Sequence, residues 1–224
     1  MHQQANWTQT RNPRFDRDNA LAMDTIAKTV FSPIYPVIAR NAIAATGVTR
    51  GVCLDLGSGH AMLAMAVARE APGMEVVAVD FSSDCRQIIE ANIHEAHLGE
   101  RVRCAAGDVH ALPFEDGYAD LIISRGSLFF WRNLKDAFRE IYRVLAPGGA
   151  TYLGGGFGSR DLREQVVSEM LKRDPTWDCY AKKKANEEDI RRFVELTEEI
   201  GCRFCQIIDD ETGFWIVLSK PAKS

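Results

Sequence analysis

The stretch of sequence that decides the fold is Val52-Cys53-Leu54-Asp55-Leu56-Gly57-Ser58-Gly59-His60-Ala61-Met62. Four of the five residues before Gly57 are apolar, which is typical of a parallel strand covered on both faces. Small and apolar residues continue from 61 to 69, as expected of a packed helix. The sequence therefore predicts a buried strand, a glycine turn and a helix in succession.

The glycine turn has the properties of a ligand-binding turn. Gly57 and Gly59 permit a tight bend and carry no side chain that would obstruct a ligand, and the following helix begins with N–H groups that lack helical partners. The dinucleotide fingerprint G-x-G-x-x-G requires a third small residue where this chain has Met62. We therefore interpret the turn as part of a pocket for a nucleotide-sized ligand that is not a dinucleotide. A purely structural turn remains an alternative.

A second acidic residue ends the next predicted strand. The run from 75 to 80 is rich in β-formers and ends in Asp80, about 20 residues beyond the turn, where a carboxylate can accept hydrogen bonds from both ribose hydroxyls. Phe81 can then stack on the adenine edge, and we include Ser82 among the candidate contacts. Alternatively, Asp80 caps the helix that begins near Ser82 or Ser83.

Two more predicted strands end at the same edge. One runs from 102 to 106 and leads into Gly107-Asp108-Val109, and the other runs from 118 to 124 and leads into Arg125 and Gly126. Ligands of open parallel sheets bind outside the carboxyl ends of the strands. These residues therefore face the same crevice as the glycine turn.

Together these stretches resemble the class I S-adenosylmethionine-dependent methyltransferases. The first motif of that family is an acidic residue, an apolar residue and G-x-G, here Asp55-Leu56-Gly57-Ser58-Gly59, and the helix ending 145–149, Leu-Ala-Pro-Gly-Gly, also resembles the family. The resemblance spans about residues 47–220 and implies an α/β, doubly wound, Rossmann-like fold. Its seven strands would form a mostly parallel sheet in the order 3-2-1-4-5-7-6, with helices on both faces and a final antiparallel hairpin.

The resemblance implies S-adenosyl-L-methionine as the cofactor and assigns roles to single residues. Asp108 would accept a hydrogen bond from the adenine amino group while the Val109 N–H reads a ring nitrogen. The candidate cofactor contacts are Tyr35, Asp55, Leu56, Gly57, Ser58, Gly59, Asp80, Phe81, Ser82, Gly107, Asp108, Val109, Ser124, Arg125 and Gly126. We assign no metal ligand and no catalytic residue, because His60, His110 and Tyr35 are each better explained as structural or cofactor-adjacent.

The sequence says less about which residues bind the methyl acceptor. Residues 1–45 are predicted to form a helical lid segment, bent at 31–36, in front of a Rossmann-like domain at 46–224. Phe31 and Tyr35 either line the pocket or attach the segment to the core. The glycine-rich stretch 154–158 either borders the acceptor site or is a flexible hinge, and the aromatic run 128–131 lines a pocket or packs in the core.

Composition limits the possible partners. The chain has 224 residues, of which 46% are hydrophobic and 26% charged, and this suits one α/β domain with a small appendage. A net charge of −4 provides no global field for nucleic acid. No run approaches a membrane span, the polar N-terminus does not resemble a signal peptide, and six scattered cysteines favour reduced thiols. We therefore expect a cytoplasmic monomer or homodimer.

The predicted function is methyl transfer to a small molecule by in-line displacement. Three alternatives remain open at this stage: a nicotinamide-dependent oxidoreductase, a cofactor-binding regulatory protein without turnover, and thiol or arsenic methylation that uses Cys179, Cys202 or Cys205. Met62 and Asp108 disfavour the oxidoreductase. The acceptor cannot be identified from these residues.

Overall fold

The computed structural model describes residues 17–177 and 187–222. Its helices are α1 (Arg17–Thr29), α2 (Ile34–Thr46), α3 (Met62–Glu70), α4 (Ser83–Glu95), α5 (Leu134–Val144), α6 (Arg160–Arg173) and α7 (Glu187–Glu199), with a 3-10 helix at Leu128–Phe130. Its strands are β1 (Arg50–Leu56), β2 (Gly73–Asp80), β3 (Val102–Ala106), β4 (Ala119–Arg125), β5 (Leu145–Gly156), β6 (Phe204–Asp210) and β7 (Gly213–Ser219).

The strands form one seven-stranded sheet in the order β3-β2-β1-β4-β5-β7-β6. Strands β1 to β5 are parallel to one another, and β7 is antiparallel to both β5 and β6. The predicted fold class, strand order and terminal hairpin are confirmed. Because the parallel strands share one direction, the carboxyl ends of β1 to β4 meet at a single edge of the sheet.

The hydrophobic core lies on both faces of this sheet. Alternate residues of β1 point to opposite faces, so that Cys53 belongs to the cluster beneath α2 and α3 and Leu54 belongs to the cluster beneath α5 and α7. Both residues are fully buried. Strands that are apolar on both faces require helices on both faces, which explains the doubly wound arrangement.

Helix α2 covers one face of the sheet, whereas α1 packs on α4. Helix α2 packs on α3, β5 and β7, and its Ile34, Ile38 and Ala39 are fully buried. Pro33 precedes α2, and residues 30–33 form the bend that the sequence predicts between the two helices. Aromatic residues of this bend are thereby brought to the ends of the central strands.

The glycine-rich stretch does not form a flexible hinge, because Gly154 to Gly156 lie within β5. The other interpretation, that the stretch borders the acceptor site, is compatible with this position. A Cβ atom at Gly154 would overlap the backbone oxygen of Phe214, and one at Gly156 would overlap the backbone oxygen of Thr212. The glycines therefore allow the close approach of the β6–β7 hairpin. The sequence places the fifth strand at 150–153, after the helix ending 145–149, whereas β5 begins at Leu145. Residues 146–149 form a bulge opposite β4.

Candidate functional site

The glycine turn is held against the end of β2. The N–H groups of Gly57 and Ser58 both donate to the Val79 carbonyl, at 2.9 and 3.1 Å. Gly57 and Gly59 have φ angles of +66° and +59°, a left-handed conformation that favours glycine. A Cβ atom at Gly57 would meet the side chain of Ser127, whereas a Cβ atom at Gly59 would meet nothing within 4 Å. The turn is therefore tightly packed at Gly57 and open at Gly59.

Asp55 is the acid of the first motif and is almost completely buried. The Ser58 hydroxyl donates to its Oδ2 at 2.6 Å. Burial raises the pKa of Asp55 to about 7, against the opposite effects of the hydrogen bonds from Ser58 and from the Ala64 backbone. Asp55 thus fixes the shape of the turn from beneath.

Asp80 connects the glycine turn to the start of α4. Its Oδ2 accepts from the Gly59 N–H at 2.9 Å, and its Oδ1 accepts from the Ser82 N–H at 3.0 Å. Burial raises the pKa of Asp80, and these two N–H groups oppose the rise. The residue that caps α4 is Ser82, whose hydroxyl accepts from the Cys85 N–H at 3.3 Å. Phe81, next to this acid, is 62% exposed.

The third acid lies in the loop after β3. Asp108 is well exposed, and its Oδ1 accepts from the His110 N–H at 2.9 Å and contacts His110 Nδ1 at 2.6 Å. These contacts lower the pKa of Asp108, with the backbone hydrogen bond as the largest cause. Gly107 is required where the loop begins, because a Cβ atom there would lie 2.7 Å from Val79 Cγ1. The contacts of Asp108 leave its Oδ2 without a partner in the described part of the chain.

The end of β4 is joined to the end of β1 through Ser127, which the sequence places at the same crevice but not among the cofactor contacts. Ser127 donates to the Leu56 carbonyl at 2.9 Å, and its Oγ lies 2.6 Å from the Oγ of Ser124, which is fully buried. Gly126 donates its N–H to the Gly154 carbonyl at 2.7 Å. A serine three residues after another serine is too common to have indicated this connection in advance.

Arg125 lies among aromatic rings. Its guanidinium carbon is 5.1 Å from the ring centroid of Phe31, 5.8 Å from that of Tyr35 and 5.7 Å from that of Phe157. Its Nε donates to the Gly156 carbonyl at 3.1 Å. The structure therefore brings the predicted residues Tyr35 and Arg125 together, and it adds Phe157, whose position beside glycines gave no signal in the sequence.

Some residues of the aromatic run 128–131 pack in the core, and others lie near the surface at the strand ends. Leu128 and Trp131 are buried in the core beneath α5, whereas Phe130 is 44% exposed. Phe129 lies beside Gly155, where a Cβ atom would be 3.2 Å from its ring. The run therefore contributes both to core packing and to the surface near the strand ends.

The candidate general bases are His60, His110 and Tyr35, and each is held by contacts within the fold. His60 is mostly buried near α1, and burial lowers its pKa. His110 contacts Asp108, and its Nε2 lies 3.3 Å from the Asn133 N–H. Tyr35 is buried, which raises the pKa of its hydroxyl, while the charge of Arg125 opposes that rise. The contacts of these three groups therefore support structural roles for them.

Among the described residues, the cysteines and the possible metal ligands form no further site. Burial raises the pKa of Cys202 and of Cys205, so both thiols are less readily ionised. Cys179, the third candidate thiol, lies outside the described residues. Over residues 17–177 and 187–222, no group of three or more His, Cys, Asp or Glu side chains could hold a metal ion. Within the same ranges no helix combines the length and hydrophobicity needed to cross a membrane.

Sequence comparisons identify the domain. A family model described as a methyltransferase domain matches residues 54–153. A demethylmenaquinone methyltransferase of Thermus thermophilus is 42% identical over 99 residues, which are 43% of this chain and 43% of that protein. Phosphoethanolamine N-methyltransferase 2 of Caenorhabditis elegans is 31% identical over 168 residues, which are 71% of this chain and 36% of that protein. The chain thus spans less than half the length of these curated relatives.

Structural comparisons extend over the whole chain. A protein of Methanococcus maripaludis, assigned as an S-adenosyl-L-methionine-dependent methyltransferase, is 44% identical with a TM-score of 0.88, covering 96% of this chain and 98% of its own. Phosphoethanolamine N-methyltransferase 2 of Haemonchus contortus shares the fold at 17% identity, with a TM-score of 0.65 over 93% of this chain and 58% of its own. The chain therefore belongs to the S-adenosylmethionine-dependent methyltransferase family and has the class I fold.

Proposed function

We propose that this chain transfers a methyl group from S-adenosylmethionine to a small-molecule acceptor by in-line displacement. The observation that carries the proposal is the position of three acids, Asp55, Asp80 and Asp108, at the ends of three neighbouring parallel strands around an open glycine turn. Carboxylates accept hydrogen bonds from ribose hydroxyls and from an exocyclic amine, which are the groups that an adenosyl moiety presents.

The residues fit this cofactor. The space above Gly59 is open, so a ligand can approach the backbone there. Each carboxylate oxygen of Asp80 has one backbone donor, which leaves acceptor capacity for ribose hydroxyls. Phe81 offers an exposed ring for adenine, and the Oδ2 of Asp108 is available for the adenine amino group. The proposed contacts also include Tyr35, Leu56, Gly57, Ser58, Ser82, Gly107, Val109, Ser124, Arg125 and Gly126, the last three beside the reacting methyl group.

When bound, S-adenosylmethionine supplies a methyl group on a positively charged sulfur. The chain would contribute by holding the acceptor in line with that group and by excluding water with the buried rings of Phe31 and Tyr35. We assign no general base, since the histidines near the site have structural contacts. Such a site suits an acceptor atom that already carries a free electron pair.

The proposal extends to the organisation of the chain. We propose that residues 1–45 act as a lid and that residues 46–224 form the catalytic domain, in a cytoplasmic monomer or homodimer. The net charge of −4 supports an acceptor other than nucleic acid. Light scattering of the purified full chain would measure its oligomeric state directly.

Calorimetric titration with S-adenosylhomocysteine and with NAD tests the proposal. We expect the first ligand to bind and the second not to bind. Asp80→Asn should weaken S-adenosylhomocysteine by about tenfold or more, because a charge-assisted hydrogen bond to ribose is lost. Asp84→Asn is the matched control, since Asp84 lies in the first turn of α4 and does not contact the glycine turn.

Methyl-labelled cofactor, incubated with the chain and a fractionated small-molecule extract, should label at least one component. Binding of NAD alone would contradict the proposal and support an oxidoreductase. Tight binding of S-adenosylhomocysteine without transfer to any fraction would support a regulatory protein. Transfer that persists in Cys202→Ser and Cys205→Ser variants would exclude a route through either of these thiols.

A further inference from the structure

The environment of Arg125 provides an observation that cofactor binding does not explain. The guanidinium is partly buried at the carboxyl end of β4 and lies within 6 Å of three ring centroids, those of Phe31, Tyr35 and Phe157. We call these four residues the arginine box. All three aromatic residues are less than 9% exposed. Partial burial removes water from a permanent cation, and the rings compensate for only part of that loss.

The charge in the arginine box has no anionic partner among the residues that the structure describes. Across residues 17–177 and 187–222, no carboxylate lies within ion-pair distance of Arg125. Its Nε donates to Gly156, and its two terminal nitrogens have no protein acceptor in the same ranges. A partly buried guanidinium with free terminal N–H groups is suited to binding a carboxylate through two parallel hydrogen bonds.

The side chain of Arg125 extends towards β5. In the sheet, β4 has β1 on one side and β5 on the other. The carbonyl that accepts from Arg125 belongs to Gly156 of β5, and Phe157 directly follows β5, whereas the glycine turn follows β1. The guanidinium therefore lies on the far side of β4 from the turn. This position suits an anion of the second substrate.

We infer that Arg125 binds a carboxylate of the methyl acceptor and that the acceptor is an apolar carboxylic acid. This inference rests on the proposed function, and it adds the chemical class of the substrate. Flat aromatic walls suit an apolar body, and one planar guanidinium suits one carboxylate. No second lysine or arginine lies over these rings in the described ranges, so a doubly charged phosphate would be poorly neutralised.

Probe binding to the full chain in the presence of saturating S-adenosylhomocysteine tests the inference. The probes are benzoate and its neutral isostere benzamide, with affinities measured by calorimetry or ligand-observed NMR. Wild type should bind benzoate at least about tenfold more tightly than benzamide, and Arg125→Met should abolish this preference. Arg125→Lys should give an intermediate preference, because lysine keeps the charge without the planar fork.

Arg192→Met is the matched control. Arg192 is an exposed arginine of α7, which packs on the opposite face of the sheet. This variant should keep the benzoate preference of the wild type. Arg125→Met should still be saturated by S-adenosylhomocysteine at high concentration, which a parallel titration verifies before the two probes are compared.

Three results would overturn the inference. The first is absence of a benzoate preference in the wild type. The second is a lower melting temperature of Arg125→Met with an unchanged preference, which indicates a structural role. The third is loss of S-adenosylhomocysteine affinity in Arg125→Met without loss of 5′-methylthioadenosine affinity, which indicates binding of the cofactor's own carboxylate. If the wild type fails to bind S-adenosylhomocysteine, the proposed function fails instead, and the two probes are then compared on the free chain.

Discussion

The two glycines of the turn provide a paired test, because they share a backbone conformation and differ in their surroundings. Both φ angles are positive, so alanine at either position should cost about 1–2 kcal/mol in backbone strain. At Gly57 the added Cβ atom would lie 2.7 Å from Ser127 Oγ, in a close-packed region. Overpacking of that kind typically costs about 1–3 kcal/mol more. We therefore expect a loss of about 2–5 kcal/mol for Gly57→Ala and about 1–2 kcal/mol for Gly59→Ala.

Urea denaturation of the unliganded chain measures these losses, and a double-mutant cycle isolates their cause. Ser127→Gly removes the side chain that the alanine at 57 would meet. The double variant should therefore recover about 1–3 kcal/mol relative to the sum of the single changes. The same substitution combined with Gly59→Ala should show no such coupling, because nothing lies within 4 Å of a Cβ atom at Gly59.

Cofactor binding should be affected most at Gly59. A methyl group there projects into the open space that we assign to the ligand, so Gly59→Ala should lose S-adenosylhomocysteine affinity while the chain remains folded. Equal destabilisation by the two alanines, together with absence of coupling to Ser127, would refute the packing argument. Unchanged affinity in Gly59→Ala would refute the proposed position of the cofactor.

Three further predictions concern single side chains. Because burial raises the pKa of Asp55 to about 7, the folded chain keeps a proton that the unfolded chain releases near pH 4, so the free energy of unfolding should decrease between about pH 4 and 7. Asp55→Asn should remove this slope in urea denaturations across that range. Phe81→Ala should weaken S-adenosylhomocysteine by about tenfold through lost stacking, whereas Phe204→Ala, at an exposed phenylalanine of the edge strand β6, should not change it in calorimetry. Ser127→Ala removes the donor to the Leu56 carbonyl and should lower the free energy of unfolding by about 1–3 kcal/mol in urea, and an unchanged value would show that the contact contributes nothing.

The sheet could be predicted from sequence because its signals are local. Each parallel strand is a short apolar run, and the acids and glycines that end these runs mark the carboxyl edge. The strand order came from the resemblance to a family and not from the runs themselves. The extent of β5 was wrong because glycines are poor strand formers, and only the approach of β7 shows why they are needed here.

In the candidate site, too, single residues could be predicted from the sequence, but the contacts between them could not. Tyr35 and Arg125 were named as separate candidates, but their proximity depends on how α2 packs across β5, which no local pattern encodes. The connecting role of Ser127 was not predicted, because it depends on one hydrogen bond to Leu56 of β1, which lies 71 positions away in the chain. Long-range contacts of this kind are set by the assembled sheet.

The charges at the carboxyl edge are separated by β4, and this separation bears on the reaction. Asp55, Asp80 and Asp108 follow or end β1, β2 and β3, whereas Arg125 reaches towards β5 on the other side. In the proposed reaction a cationic sulfonium on the acidic side meets an anionic acceptor held on the cationic side, so the two substrates attract each other across β4. Transfer removes the positive charge of the sulfur, and with it the attraction that holds the two ligands together. The same arrangement that favours assembly of the substrates would therefore favour release of the products.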